Sequence, residues 1–163
     1  MKMEYMGVEL ARRYLKNYRK YKAAVLNLEE DIAAFRAELA GIAAAVARYG
    51  AESGGRGGAC SSVERMAASR MEVETRIGQA VKAKSELEHI LRRLDRALAS
   101  LSEEERALVA GHFIEGKTWR ELGEETYQSE KWVCIKGNRA LQAVASMLFG
   151  IRAIQEQIRL DLQ

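Results

Sequence analysis

Residues 118–141 read TWRELGEETYQSEKWVCIKGNRAL, and this stretch decides how the C-terminal third of the chain folds. Its pattern predicts two short helices joined by a tight turn. Thr118 and Glu121 have the spacing of a capping box, in which a hydroxyl and a carboxylate satisfy the free N–H groups of the first helical turn. Ser129 is placed to begin the second helix in a similar way. The stretch therefore predicts a helix-turn-helix.

A further helix is predicted just before this motif, in the segment LSEEERALVAGHFIEGK at residues 101–117. Ser102 and Glu105 repeat the capping-box spacing, and Gly116 is placed to end the helix. The residues between them form one inward-facing stripe: Leu108, Val109, His112 and Phe113. In the next helix Trp119 and Leu122 are predicted to face inward as well.

Helical spacing divides the helix after Ser129 into two faces. One face is apolar and should pack inward: Val133, Ala140, Val144 and Leu148. The other face should point outward: Lys131, Cys134, Ile135, Asn138 and Gln142, with Trp132 and Arg139 on its flank. We expect Gly123 to lie where two helices cross so closely that only a small residue fits.

Residues 101–148 resemble region 4 of bacterial sigma factors, in which a capped helix precedes a helix-turn-helix. The resemblance rests on four short matches: Leu101 to Arg106, Glu115 to Gly123, Ser129 to Val133, and Arg139 to Leu141. No segment similar to sigma region 2 precedes them. With the long charged N-terminal half, which begins ARRYLKNYRKY, the chain is similar to small phage late-gene transcription activators of the RinA/ArpU type. This resemblance implies double-stranded promoter DNA as the partner, RNA polymerase as a second candidate partner, and the cytoplasm of a bacterial host cell as the location.

Two residues depart from the pattern of that family. Tyr127 stands where the turn has glycine, and a bulky residue is strained in the left-handed conformation expected there. Lys136 stands where an apolar residue anchors the recognition helix. We expect its aliphatic stem to pack while its ammonium reaches a phosphate.

A recognition helix in the major groove reads base edges, so the outward face predicts specific contacts. Asn138 and Gln142 can pair with adenine, and Lys131 or Arg139 with guanine, each good pair discriminating by about 1–3 kcal/mol. Trp132 and Ile135 complete the predicted DNA-facing set. Five residues are expected to contact phosphates, which position a protein without specifying sequence: Lys117, Thr118, Arg120, Ser129 and Lys136.

The N-terminal half carries two long apolar stripes with the alternating spacing of a coiled coil. The first runs from Tyr14 to Tyr49 and the second from Val63 to Leu101, with a Gly-rich loop at 50–61. Arms at about 8–49 and 62–100 predict an antiparallel hairpin, although the same stripes can pair between chains. Arg70 and Lys84 interrupt the second stripe. Either their stems pack while their charges reach solvent, or they set the register of the pairing.

Five cations crowd the start of the first arm: Arg12, Arg13, Lys16, Arg19 and Lys20. No acidic residue separates Arg12 from Lys22, and three tyrosines are interleaved with the cations. In a hairpin this segment lies beside the C-terminal module, where its cations can contact flanking phosphates. The alternative is a solvated helix face whose tyrosines pack against the second arm.

Residues 150–163 predict a C-terminal helical extension with an apolar face, and Gly150 is the expected kink. The extension can fold back on the hairpin or pair with a second copy. Because helix-turn-helix proteins often bind two half-sites as dimers, we expect a homo-oligomer.

Composition argues against several classes of protein. The 163-residue chain has no proline, 30% charged residues and a net charge of +3, which favours long helices and fits one ordinary domain or two small ones. We expect no membrane span and no signal peptide. Cys60, Cys134, His89 and His112 lack metal-binding or redox spacing, and there is no Walker loop, so we expect no metal, no cofactor and no enzyme activity.

The sequence thus predicts an all-α protein, with a hairpin at 1–100, a DNA-binding module at 101–149 and an extension at 150–163. The predicted function is sequence-specific regulation of transcription, as an activator at a promoter. One alternative is a packaging protein of the small terminase type, although that family usually places its DNA-binding module first. The other is a coiled-coil adaptor that binds protein only, because residues 116–142 hold five basic residues against four acidic ones.

Overall fold

A computed structural model describes residues 2–52 and 59–150 of the chain. Within these two ranges the chain is helical apart from short connections, and it contains no strand. The predicted all-α class is confirmed. No helix in the described part is long and apolar enough to cross a membrane.

Six α-helices follow one another within the described residues. Their bounds are α1 Lys2–Lys16, α2 Tyr18–Glu52, α3 Ala59–Ala99, α4 Glu103–Val109, α5 Trp119–Thr126 and α6 Glu130–Phe149. A π-helical turn, Ala110–Ile114, continues α4. The Gly-rich loop predicted at 50–61 lies largely outside the described residues, and the extension lies outside them after Gly150.

The first arm differs from its prediction, because the helix is interrupted at Asn17. The Asn17 side-chain amide donates to the Arg13 carbonyl at 3.0 Å, beside the backbone N–H of Asn17 at 3.1 Å. The side-chain amide therefore shares the Arg13 carbonyl with the backbone N–H, whose helical bond is kept, and the break between α1 and α2 falls at this residue.

The chain divides into two compact units. One comprises the described parts of Met1–Lys22 and His89–Gln163, and the other is Ala23–Glu88. The predicted boundary at residue 100 does not coincide with this division. Residues 89–100 and the basic segment of α1 group with the predicted DNA-binding module.

The core of the first unit explains this grouping. Buried apolar side chains come from α1, α3 and the connection after it, the end of α4, the π-helical turn and α6: Ala11, Leu15, Leu94, Ala97, Leu98, Leu101, Val109, Phe113, Ala140, Leu141, Val144, Ala145 and Leu148. Fully burying one leucine or valine side chain contributes about 1.5–3 kcal/mol. A second cluster, formed by Leu108, Leu122 and Val133, joins α4, α5 and α6.

In the second unit the predicted stripes face each other at Ile32, Val73 and Ala80, which are buried. Two ion pairs also link the helices, Arg76 to Glu38 and Lys84 to Glu29, each at 2.9 Å. From the first ion pair to the second, the residue number rises from 76 to 84 in α3 and falls from 38 to 29 in α2. The two helices are therefore antiparallel in this unit.

The two charged residues of the second stripe behave differently. Lys84 is 26% exposed and binds Glu29 of α2, and this hydrogen bond raises the pKa of Lys84. Arg70 binds Glu74 one turn further along its own helix and stays at the surface. Of the two charged residues in the second stripe, Lys84 alone links α2 to α3, and a residue that sets the register of the pairing must make such a link.

Candidate nucleic-acid interface

Hydrogen bonds cap the starts of the three helices in the predicted helix-turn-helix segment and just before it. The Thr118 hydroxyl accepts from Glu121 N at 3.2 Å, and the Glu121 carboxylate accepts from Thr118 N at 2.7 Å. The Ser129 hydroxyl accepts from Trp132 N at 3.2 Å and begins α6. Ser102 and Glu105 make the same reciprocal pair at the start of α4. All three predicted caps are confirmed.

The turn between α5 and α6 is left-handed at Tyr127, with φ 56° and ψ 35°. The Gln128 N–H donates to the Gly123 carbonyl at 2.9 Å and closes the end of α5. A non-glycine residue in this conformation costs about 1–2 kcal/mol. The Tyr127 side chain is 98% exposed, so no packing offsets that cost within the described residues.

Close packing in the motif centres on two glycines. A Cβ atom on Gly123 would lie 2.9 Å from the Gln128 carbonyl oxygen, so this glycine fits against the turn. A Cβ atom on Gly137 would lie 2.4 Å from the Trp119 ring, so α5 and α6 approach closely at Gly137. The close approach predicted at Gly123 is also present, because an added Cβ there would lie 3.4 Å from the backbone nitrogen of Glu130, the first residue of α6. The second close approach, at Gly137, was not predicted; its signal was a glycine in the middle of a helix, facing the same core as Val133 and Ala140.

The two faces of α6 divide as predicted. Every residue of the inward set is buried, whereas the outward face is exposed along its length at Lys131, Trp132, Ile135, Asn138, Arg139 and Gln142. Cys134 is partly buried and accepts a long hydrogen bond, 3.4 Å, from the Asn138 amide. The predicted base-reading residues therefore lie together on one accessible surface.

Three of the predicted phosphate contacts are already bound within the protein. Lys117 binds Glu125 at 2.9 Å, which raises the pKa of Lys117, and Arg120 binds Glu124 at 3.2 Å. The Lys136 ammonium binds the Glu104 carboxylate of α4 and lies 4.6 Å from the centre of the Trp132 ring.

The Lys136 ammonium, which was predicted to contact a phosphate, therefore forms an ion pair within the protein instead. Lys136 still anchors α6, because this ion pair links α6 to α4. Thr118 and Ser129 stay exposed at the starts of α5 and α6, although their hydroxyls already cap those helices.

Other predicted cations remain available. Lys131 and Arg139 on α6 form no ion pair within the described part of the chain. The same holds for four exposed cations at the junction of α1 and α2: Arg13, Lys16, Arg19 and Lys20. Tyr14 and Tyr18 instead pack on the core, and burial, followed by a hydrogen bond to Asp95, raises the pKa of Tyr18. The tyrosines thus pack inward as the sequence analysis considered, while the cations stay outside.

A cleft of about 530 Å³ opens between α1 and the segment from the π-helical turn to α6. Its lining includes Arg12 and Lys16 of α1, His112 and Phe113 of the π-helical turn, Trp119 of α5 and Asn138 of α6. Each of these six residues has a predicted role of its own, but no pattern in the sequence indicates that they share one surface. Only the π-helical turn and the packing of α1 bring them together.

One wall of this cleft is an aromatic stack. The His112 and Trp119 rings are nearly parallel, with centres 3.7 Å apart, and Phe113 meets Trp119 edge-on at 5.8 Å. His112 Nδ1 lies 2.7 Å from the Lys117 carbonyl oxygen, so Nδ1 carries the proton and donates. These contacts hold the Trp119 ring against Gly137.

Within the described residues no group of three or more His, Cys, Asp or Glu side chains is placed to hold a metal ion. Cys134 is a free thiol, and the side chain of Cys60 lies outside the described part. Comparisons of the chain with protein-family models, with curated proteins and with solved structures found no match.

Proposed function

We propose that the chain is a sequence-specific, DNA-binding regulator of transcription that inserts α6 into the major groove. One observation carries this proposal: α6 is buried along one face, and along the other it exposes polar side chains that have no ion-pair partner among the residues that the structure describes. An exposed helix with uncommitted donors and acceptors can read base edges, because each base pair presents its own pattern there.

The dimensions of α6 fit this role. Its 20 residues span about 30 Å at 1.5 Å per residue, and an α-helix fits the width of the major groove. Lys131 lies in its first turn, Asn138 and Arg139 near its middle, and Gln142 one turn later. Asn138 and Gln142 are assigned to adenine, and Arg139 or Lys131 to guanine.

The resemblance to sigma region 4 and to phage late-gene activators extends the proposal. By that resemblance the bound DNA is a promoter, and RNA polymerase is a second partner on another surface. The antiparallel pairing of α2 and α3 in the second unit supports the predicted helical hairpin. Two copies of the chain would then engage two half-sites.

A second function, binding to protein alone, is favoured by a specific observation. Trp132 and Ile135 expose apolar surface on the same face of α6, with Ile135 46% exposed, and aromatic residues are enriched in protein interfaces. Internal ion pairs also neutralise Lys117, Arg120 and Lys136, which lowers the attraction of the module for DNA. We rank this function second because the centre of the face is polar.

Selection of duplexes from a random library by the full-length chain tests the leading proposal. We expect one enriched sequence, and footprinting on that duplex should give the spacing of half-sites. The double variant Asn138→Ala, Arg139→Ala should lose about 2–6 kcal/mol of specific binding, since two base contacts are removed.

A matched control changes the same residue types on α2, where Asn27→Ala and Arg36→Ala alter exposed side chains of the second unit. This control should bind like the original chain. If no duplex is enriched, or if the α6 variant binds as tightly as the control, protein binding becomes the leading function.

A further inference from the structure

The cleft beside α6 joins a base-reading residue to cations from a different part of the chain. Arg12 and Lys16 stand one helical turn apart on α1, so both side chains project from one face of the helix. Asn138 of α6 lines the same cleft. An anion in this cleft would contact both helices at once.

The cations of the cleft are available to such an anion. Lys16 is exposed and forms no ion pair within the part of the chain that the structure describes. Among the described side chains Arg12 pairs only with Glu9 on its own helix, at 3.3 Å, with both side chains about half exposed. An exposed pair of this kind is worth at most about 1 kcal/mol, so a phosphate can displace it. Glu115, the acid of the cleft lining, lies 3.5 Å from the Lys117 ammonium, which offsets its charge.

The cleft is also held in shape before anything binds. The His112 and Trp119 stack and the bond from His112 to the Lys117 carbonyl hold its wall, while Arg12 lies 6.0 Å from the centre of the Phe113 ring. Side chains that are already positioned lose less conformational freedom when they bind.

We propose that this cleft receives a backbone phosphate of the bound duplex, next to the base that Asn138 reads. Arg12 and Lys16 hold the phosphate, and the Asn138 amide faces it from α6. The proposal rests on the proposed function and adds a second element, α1, to the interface. It also separates the cations near the start of the first arm into two groups. Arg12 and Lys16 line the cleft, whereas Arg13, Arg19 and Lys20 do not and only add to the attraction for DNA.

The recognised chemistry is a phosphate, and a free phosphorylated ligand offers the same group. The open form of the cleft and the position of Asn138 on the recognition helix favour the phosphodiester of DNA. The test must therefore locate one phosphate on the duplex and ask separately whether a free anion binds.

The experiment uses the full chain and its selected duplex, with each phosphate near the site replaced in turn by an uncharged methylphosphonate. The original chain should lose about tenfold or more in affinity at one phosphate, as expected for a charged hydrogen bond. The affinity of the variant Arg12→Gln, Lys16→Gln should be unaffected by the methylphosphonate at that phosphate, and only at that phosphate. Its salt slope should also fall by about 0.9, because one phosphate is no longer neutralised.

Arg19→Gln, Lys20→Gln is the matched control, because it removes the same charge from exposed positions outside the cleft. Its affinity should fall as much as that of the original chain when the phosphate assigned to the cleft is replaced. If the first double variant melts at a lower temperature than the control, Lys16→Gln alone repeats the test with one exposed side chain changed.

If both double variants respond alike at every phosphate while the duplex is still bound, the cleft proposal is wrong and the proposed function stands. A free anion is tested with inorganic pyrophosphate in the Trp132→Phe background, where Trp119 is the sole tryptophan of the chain. The proposal is also wrong if pyrophosphate changes the fluorescence emission of Trp119 while no single phosphate of the duplex distinguishes the Arg12→Gln, Lys16→Gln variant from the original chain. Absence of any selected duplex removes the proposed function, and this inference with it.

Discussion

Tyr127 is the only non-glycine residue with positive φ in the described ranges. Its left-handed conformation ends α5 and aims the chain into α6, while its ring lies in solvent. The shape of the turn therefore follows from the structure on either side and not from the preference of this residue. The left-handed conformation expected from the sequence at this position is confirmed.

We predict that Tyr127→Gly raises the free energy of unfolding by about 1 kcal/mol, because glycine adopts this conformation without strain. Urea denaturation of the full chain measures the change. Tyr127→Phe serves as the control and should leave stability unchanged, since the hydroxyl is in solvent. A glycine variant no more stable than the control would mean that the turn stores no strain.

Glu121 gives stability a dependence on pH. Hydrogen bonds from the Thr118 backbone N–H and hydroxyl lower the pKa of the Glu121 carboxyl below its usual value. A lowered folded-state pKa means that the ionised form stabilises the folded state. This contribution is complete above the unfolded pKa of about 4.3, and it is lost as pH falls through the lower folded value.

We therefore predict that Glu121→Gln loses less stability between neutral pH and about pH 3 than the original chain does. At neutral pH the variant should be slightly less stable, because glutamine keeps the capping geometry without the charge. Thermal unfolding at both pH values measures the difference. Glu124→Gln, on the same helix but outside the capping box, should follow the original chain; equal curves for all three proteins would exclude the capping contribution.

At the scale of elements, α5 and α6 are held together by the Trp119 ring against Gly137. A methyl group at residue 137 would overlap that ring, and the stacked His112 behind it leaves the ring little room to move. The angle at which α6 is presented depends on this contact.

We predict that Gly137→Ala lowers the free energy of unfolding by about 1–3 kcal/mol, although alanine is the better helix former. Gly78→Ala is the matched control in α3, where an added Cβ meets nothing within 4 Å. That control should raise stability by about 0.5–1 kcal/mol. Changes of the same sign in both variants would show that helix propensity, and not the ring contact, decides the outcome.

The link between α4 and α6 has a consequence for DNA binding. Because Glu104 binds Lys136, this cation is withheld from phosphates although it lies on the helix proposed to enter the groove. We predict that Glu104→Gln frees Lys136, strengthens binding to unrelated duplexes and steepens the salt slope by about 0.9.

Glu103→Gln controls for the loss of a negative charge. Glu103 lies in the same helical turn and has no ion-pair partner among the described residues. Affinity measured against salt concentration should separate the two variants. Identical slopes would show that Lys136 does not reach DNA when it is released.

At the scale of the whole chain, the proposed DNA-binding module does not form its core alone. Leu15 of α1 and Leu94 of α3 are fully buried in the cluster that also holds Val144 and Leu148 of α6. Residues of α1 and α3 therefore stabilise α6, although Leu94, the nearer of the two leucines in sequence, lies 50 positions before Val144.

We predict that Leu15→Ala and Leu94→Ala each lower the free energy of unfolding of the first unit by about 2–5 kcal/mol. Hydrogen exchange of the α6 amides should become faster in both variants. Leu26→Ala changes a leucine that is 61% exposed and should have little effect. Unchanged exchange in α6 would show that the module is stable without α1 and α3.

Local patterns in the sequence were sufficient for the helices and their starts. The three caps, the positive φ of Gly116 and Tyr127, and the two faces of α6 each depend on residues within a few positions of one another. Such short-range interactions are readable from spacing because helical geometry sets which neighbours meet.

The interruption at Asn17 and the π-helical turn were not predicted, because each depends on hydrogen bonds that spacing does not reveal. The cleft, the partner of Lys136 and the contact at Gly137 depend on residues far apart in sequence. For those features only tertiary packing selects which of many equally plausible side chains meet. The sequence by itself determined the helices and the surface that α6 offers, and the tertiary structure decided which cations stay available beside it.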